Sequence, residues 1–344
     1  MIVKIKPVPT AEELKTLLPL SDGLKKQRLD FVESIENILS GRDKRKLFIV
    51  GPCSADNVSA VCEYAERLAR VARQIKSVAH VVMRAYTGKP RTRGDVYAGM
   101  IHTPDLETGI TDISAGLFAA RSLHLKIAQA CGLFTADEIF YPSATAFTDD
   151  ITAYLTVGAR SAQDPLHRYV ASGADVPVGV KNPLHGDVYD LADSVYSVGI
   201  SNEFMLDGFQ VRTGGNKYAH AVLRGAVDRR GNNIANYGYD CVMKYCEACA
   251  ARNVDNGCAI IDAGHANSGK NISKVSGIVT DVLDRCRASA DYNSVVKGFM
   301  IESYIEDGCQ PPRGGVYGKS VTDPCLGWKA AEKLLLSAAD KIVI

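Results

Sequence analysis

KLFIVGPCSADN, residues 46–57, is the stretch that decides the fold. Leu47 to Val50 run apolar without alternation, as in a strand covered on both faces. Gly51-Pro52 ends the run, and a thiol, Cys53, follows where the chain leaves the core. The same grammar returns in HVVMRAY (80–86), LFTADEIF (133–140), VGAR (157–160), VPVGVKN (176–182), AVLRG (221–225), CAIIDAGHAN (258–267) and VVKGFMIES (295–303). Helical periods lie between these runs. Val58, Val61, Cys62, Ala65, Leu68 and Ala69 share one face of the first. Further helices are expected near 114–130, 143–157, 163–172, 187–198, 239–252, 271–290 and 324–340. Eight strand–helix units predict an α/β protein, a (β/α)₈ TIM barrel. The alternative is an open doubly wound sheet. That fold should carry a glycine-rich phosphate loop after an early strand, and neither G-x-G-x-x-G nor G-x-x-x-x-G-K-[ST] occurs.

The barrel is assigned to residues 46–344 and a helical extension to residues 1–45. In the extension, Thr10 to Glu13 form a capping-box pattern. A longer helix is expected from Asp22 to Ser40, with Leu29, Val32, Ile35, Ile38 and Leu39 on its apolar side and Gly41 ending it. Residues 201–220 read as a short hairpin inserted before strand six.

With 344 residues and a net charge of +1, the chain offers no general attraction to nucleic acid or to a membrane surface. No window reaches the roughly 18 apolar residues of a membrane span. The N-terminal stretch has no apolar signal-peptide region, and the ten cysteines of the whole chain are irregularly spaced. They read as free thiols in a reducing cytoplasm. Cys246-x-x-Cys249, near Cys241, is better read as helix cysteines than as a zinc or redox site, because no second pair follows.

In a barrel, the C-terminal ends of the strands face the active site. The residues there fall into two groups. Arg84, Lys89, Arg91, Arg160, Lys181 and Arg224 are cations from successive strand ends, with Glu138 at the end of strand three. Like charges gathered in one mouth need an anion to compensate them, so small phosphorylated ligands are expected. Taken singly, each cation reads as an ordinary ion-pair partner. Cys53, His265, Glu302 and Asp323 form the second group: one thiol, one imidazole and two carboxylates from strands one, seven and eight, which a closed barrel makes neighbours. This set suits one divalent metal ion (Mn²⁺, Fe²⁺, Co²⁺ or Zn²⁺) with a position open to substrate. Cys53 alone also reads as a buried hydrophobe or as a nucleophile, and His265 alone as a histidine in a turn.

GPCS (51–54), MRAYTGKPRT (83–92), GAR (158–160), PVGVKN (177–182), LRG (223–225), DAGHANSGK (262–270), IES (301–303) and YGKSVTDPCLGW (317–328) together resemble the DAHP synthases, most closely the type I alpha branch. The resemblance implies condensation of phosphoenolpyruvate with erythrose 4-phosphate to 3-deoxy-D-arabino-heptulosonate 7-phosphate and inorganic phosphate. It implies metal ligation by Cys53, His265, Glu302 and Asp323. It assigns phosphoenolpyruvate to Arg84, Lys89, Glu138, Arg160, Lys181 and Arg224, and the aldose phosphate to Lys89, Pro90, Arg91 and Thr92. Lys89, Glu138 and His265 are the residues it suggests for proton movement and placement of water. It also implies a homodimer or homotetramer. In regulated members, the hairpin region and the N-terminal extension build feedback sites for aromatic amino acids. Here the hairpin is short and Asp175 replaces an expected small polar residue, so feedback is expected to be weak, absent or directed at another ligand. Two alternatives remain at this stage: a related phosphoenolpyruvate–aldose phosphate synthase, and a catalytically inactive phosphosugar-binding subunit.

Overall fold

The computed structural model describes residues 1–91 and 96–343. Eight barrel strands occur in chain order: Lys46–Gly51, Ala79–Arg84, Thr135–Glu138, Tyr154–Val157, Val178–Lys181, His220–Leu223, Ala259–Asp262 and Val296–Glu302. Each pairs in parallel with its neighbours in sequence. Strand one closes the barrel by pairing Leu47–Gly51 with Gly298–Glu302 of strand eight. Every residue of strand one is buried, which explains its unbroken apolar run. Phe48 and Phe299 meet across the closure with ring centroids 5.2 Å apart. Outside the barrel, the helix Val58–Ile75 is capped by Asn57, whose side chain accepts from Ala60 N–H. It buries Val61, Ala65 and Leu68 against the strands, as their spacing predicted.

One expected helix is absent. Residues 143–157 hold a 3₁₀ turn, Pro142–Phe147, and then strand four itself, Tyr154–Val157. Thr148 accepts backbone hydrogen bonds from Ile151 and Thr152, and Thr152 Oγ1 also bonds back to Thr148 O. Such Thr- and Asp-rich turns compete with a helix, and the β-branched run beyond them completes the sheet. VGAR is therefore the exit of strand four, with Arg160 in the loop past it. The helix expected at 271–290 is a 3₁₀ turn followed by Val275–Ala288, and Ser289 then caps a further short helix, Ala290–Val295. The last helix is shorter than expected, Trp328–Ala339.

In the extension, Thr10 and Glu13 make the capping box and start helix Ala11–Leu17. Helix Asp22–Leu39 buries Val32, Ile35, Ile38 and Leu39, but Leu29 is 63% exposed and Arg28 takes its place in the buried stripe. Positions 28, 32, 35 and 39 follow the helical period, so the geometry selects the arginine. Its guanidinium is satisfied by Thr152 O, Asp149 O and the Asp175 carboxylate. The hairpin before strand six pairs Glu203–Leu206 with Phe209–Arg212 through a two-residue turn, Asp207-Gly208, in which both residues have positive φ. A second small hairpin, Ala226–Val227 with Asn233–Ile234, follows strand six and was not expected. Among the described residues, no helix is long and apolar enough to cross a membrane.

Candidate active site at the barrel mouth

The strand ends converge on a cavity of about 390 Å³ lined by Lys89, Pro90, Arg91, Glu138, Arg160, Lys181, Arg224, His265, Lys270 and Asp323, among others. The described lining holds six cations against two carboxylates. Lys89, Lys181 and Arg224 are 6%, 3% and 5% exposed. Lys181 Nζ donates to Glu138 Oε2 at 2.7 Å. Burial raises the Glu138 carboxyl, but Lys181, Lys89 and Arg84 together outweigh it and hold it down at about 2. Burial pulls the Arg224 guanidinium below its ordinary value, and its Nη1 has no hydrogen-bond partner among the described residues. A buried cation with an orphaned donor beside a cavity is poised for an anion.

Arg84 lies beneath this floor rather than in its lining. It is fully buried, donating to Pro52 O, Cys53 O and Glu302 Oε1, the last at 2.9 Å. Pro90 and Arg91 are in the lining, while Thr92 lies outside the described residues.

One ligand atom each from Cys53, Glu302 and Asp323 lie within 4.8 Å of one another. His265 stands beside this trio, with Nε2 3.6 Å from Glu302 Oε1. His265 has φ +46°, an uncommon conformation for a non-glycine residue and one that clusters at functional sites. Ala266 N–H donating to Arg224 O ties this turn to strand six. His265 Nδ1 is 2.8 Å from Asp262 Oδ2, but the two are not aligned as a hydrogen bond. Burial, and then Glu302, push the Cys53 thiol up. Burial opposes ionisation of Glu302 and Asp323, but His265 leads the charges that lower both. Two ionised carboxylates thus face a thiol whose charged form they oppose. A divalent cation reverses that field, and the thiolate and carboxylate donors of Cys53, Glu302 and Asp323 are spaced to fit one ion with bonds of about 2.0–2.3 Å, while His265 stands outside that trio.

The sequence reading did not single out Tyr86. Arg84 Cζ sits 3.6 Å from its ring centroid, Lys181 Nζ 4.9 Å and Lys89 Nζ 5.4 Å. Its hydroxyl shares a 2.6 Å hydrogen bond with Thr156 Oγ1. The negative face of one buried ring thereby supports three crowded cations. A lone tyrosine after an apolar strand reads as core, so only its place in MRAYTGK, between two of those cations, hinted at this.

A larger cavity, about 810 Å³, lies between the extension and the hairpin, around Leu29, Asp175 and Phe204. None of the strand-end cations, and none of Cys53, His265, Glu302 and Asp323, lines it, so volume alone is a poor guide to the chemistry.

Residues 25–336 match the family model described as the DAHP synthetase I family. The chain belongs to the DAHP synthetase I family. The Trp-sensitive phospho-2-dehydro-3-deoxyheptonate aldolase of Enterobacter agglomerans is 36% identical over 313 residues, covering 89% of this chain and 86% of that one. The Tyr-sensitive enzyme of Escherichia coli (strain K12) is 32% identical over 335 residues, covering 95% and 90%. The solved structure of phospho-2-dehydro-3-deoxyheptonate aldolase from Francisella tularensis SCHU S4 has a TM-score of 0.91 at 29% identity, covering 99% of this chain and 98% of that one. DAHP synthases are metal-dependent transferases that condense phosphoenolpyruvate with erythrose 4-phosphate in the first step of the shikimate pathway, and this chain has that activity.

Proposed function

We propose that the mouth cavity is where this condensation takes place, and that Cys53, His265, Glu302 and Asp323 hold one divalent ion there. The observation that carries this reading is that His265 and Asp323 line the same cavity as Lys89, Lys181 and Arg224. The methylene carbon of phosphoenolpyruvate adds to the aldehyde carbon of erythrose 4-phosphate. Water then adds at the former enol carbon, and phosphate leaves from the hemiketal. A bound divalent ion supplies Lewis acidity at the aldehyde oxygen. Arg160, Lys181 and Arg224 receive the carboxylate and phosphate of phosphoenolpyruvate. Lys89, Pro90, Arg91 and Thr92 receive the aldose phosphate. Arg84 reaches phosphoenolpyruvate only in competition with Glu302, which it holds in this structure. Lys89 faces both substrates and gives a proton to the aldehyde oxygen as the carbon–carbon bond forms, the water that adds supplies a proton in return, and His265 is the second proton carrier. A carboxylate held near 2 is a weak base, so Glu138 orients water and Lys181 rather than taking the proton.

The S, N and O donors favour Mn²⁺, Fe²⁺, Co²⁺ or Zn²⁺ over a hard ion such as Ca²⁺. The ten free cysteines favour the cytoplasm. A homodimer or homotetramer accords with the exposed apolar residues Ile2, Val3 and Ile5 of the N-terminal segment.

The test is phosphate release from phosphoenolpyruvate with erythrose 4-phosphate or arabinose 5-phosphate, before and after chelation. Turnover with erythrose 4-phosphate that stops on chelation and returns with added Mn²⁺ is expected. Turnover with the five-carbon sugar instead, or none after metal is restored, contradicts the reading.

A further inference from the structure

Strand three carries a buried carboxylate that none of the chemistry above uses. Asp137 is 5% exposed. Its Oδ1 accepts from Thr87 N–H at 2.9 Å and from Glu138 N–H at 2.7 Å. Its Oδ2 accepts from Thr87 Oγ1 at 2.5 Å and pairs with His124 Nε2 at 3.1 Å. His124 Nδ1 in turn meets Thr135 Oγ1 at 2.8 Å. His124, Thr135 and Thr87 are all fully buried. Four donors on two oxygens fill the acceptor capacity of one carboxylate.

Two of those donors are the backbone N–H groups of Thr87, two residues before Lys89, and of Glu138. Thr87 O also accepts from Ile101 N–H, and Lys89 N–H donates to Ala98 O, so both limbs of the Lys89 loop are tied at Thr87. The loop base is packed without slack. A Cβ on Gly88 would fall 2.5 Å from Phe140 Cβ, and one on Gly99, at φ +98°, would fall 2.4 Å from Thr87 O.

We propose that Asp137 is a positioning residue: a buried clamp that fixes the Lys89 loop against the end of strand three and so sets Lys89 relative to Glu138 and Lys181. His124 holds the clamp's second oxygen in place. The proposal rests on the assignment of Lys89 and Glu138 to the substrates. A misplacement on the order of 1 Å at a reacting pair can cost about a hundredfold in rate, and removing Asp137 frees the loop base to make one.

The experiment is steady-state kinetics of the metal-loaded enzyme, with the KM for each substrate and the melting temperature measured together. Asp137→Ala strands two buried backbone donors and is expected to lower kcat/KM for erythrose 4-phosphate about a hundredfold, raising that KM more than the KM for phosphoenolpyruvate. Asp137→Asn is expected to rescue. Its carbonyl still accepts from Thr87 and Glu138, and its amide can donate to His124 in the other tautomer. Thr87→Val, which folds more readily, removes one hydrogen bond and is expected to cost up to about tenfold, while Thr87→Ser restores it. A folded Asp137→Ala with unchanged kinetic constants, or only a lower melting temperature, overturns the clamp. If Asp137→Ala does not fold, equal kinetics for Thr87→Val and Thr87→Ser overturn it. Lys89→Ala is the control. If that variant keeps wild-type turnover, the substrate assignment fails and the clamp with it. An inactive Lys89→Ala beside a fully active Asp137→Ala rejects the clamp alone.

Discussion

At the N-terminal end of the barrel, Tyr154 OH and His220 Nε2 meet at 2.8 Å, and His220 Nδ1 donates to Tyr218 O at 2.8 Å. At the same end, on strand one, Lys46 Nζ donates to Asn293 Oδ1 and Val296 O. At the C-terminal mouth, side chains just as buried do not balance. Six cations face two carboxylates in the described lining, Arg224 keeps an orphaned donor, and Cys53 sits among groups that oppose its ionisation. Burial does not distinguish the two ends, and neither does a single orphaned atom, since His80 Nε2 at the start of strand two also lacks a partner among the described residues; what distinguishes them is crowded, unbalanced charge. Where buried polar groups close on their own chain, as Tyr154, His220 and Lys46 do, the network holds the fold together. Where cations outnumber carboxylates around a cavity, the site awaits a substrate or an ion.

Arg224→Ala is the sharpest challenge to this contrast. Losing a charge-assisted bond to substrate costs about 1.5–3 kcal/mol, so the KM for phosphoenolpyruvate should rise about tenfold or more. The melting temperature should hold or rise, because a buried cation with an unmet donor is removed. A lower melting temperature with unchanged KM would put Arg224 with the N-terminal end instead. Tyr86→Leu removes the ring beneath three cations. At about 0.5–2 kcal/mol for each cation–π contact, substrate affinity should fall about tenfold. Tyr86→Phe keeps the ring and loses the hydroxyl's bonds to Thr156 Oγ1 and Met300 Sδ, so its effect should be smaller. Equal effects would show that the hydroxyl matters and the ring does not.

The smallest effect on turnover belongs to the N-terminal end. Burial lowers His220 to about 4 from its ordinary value of 6.5. A histidine depressed in the fold contributes stability that is complete above pH 6.5 and is lost as pH falls through about 4. Denaturant melts between pH 7 and pH 4.5 should show that loss in the native chain and less of it in His220→Gln. For a fully buried group it is on the order of 3 kcal/mol across the window. The variant's kinetic constants at pH 7 should match the wild type. A kinetic defect at pH 7 would tie this end of the barrel to catalysis and erase the contrast.

The barrel was legible in the sequence because strands buried on both faces leave unbroken apolar runs, as LFIV and FMI do. The site was legible because its residues sit where those runs stop. Strand four was misplaced by a few residues because AYLTV follows a turn of Thr and Asp that mimics a helix start. Leu29 reads as inside because composition outweighs the helical period, which selects Arg28 instead. Tyr86 and Asp137 stayed hidden for a different reason. Their roles depend on neighbours far along the chain: Lys181 for the ring, and Thr87 and His124 for the carboxylate. No local pattern encodes those contacts.

The most direct test is the near-ultraviolet absorption of the Co²⁺-loaded enzyme. One ion per chain, with a sulfur-to-cobalt charge-transfer band that shifts when phosphoenolpyruvate is added and is missing in Cys53→Ala, is the expected result. An active enzyme with one Co²⁺ per chain and no thiolate band would contradict it, because Cys53 would then stand at the mouth without touching the ion.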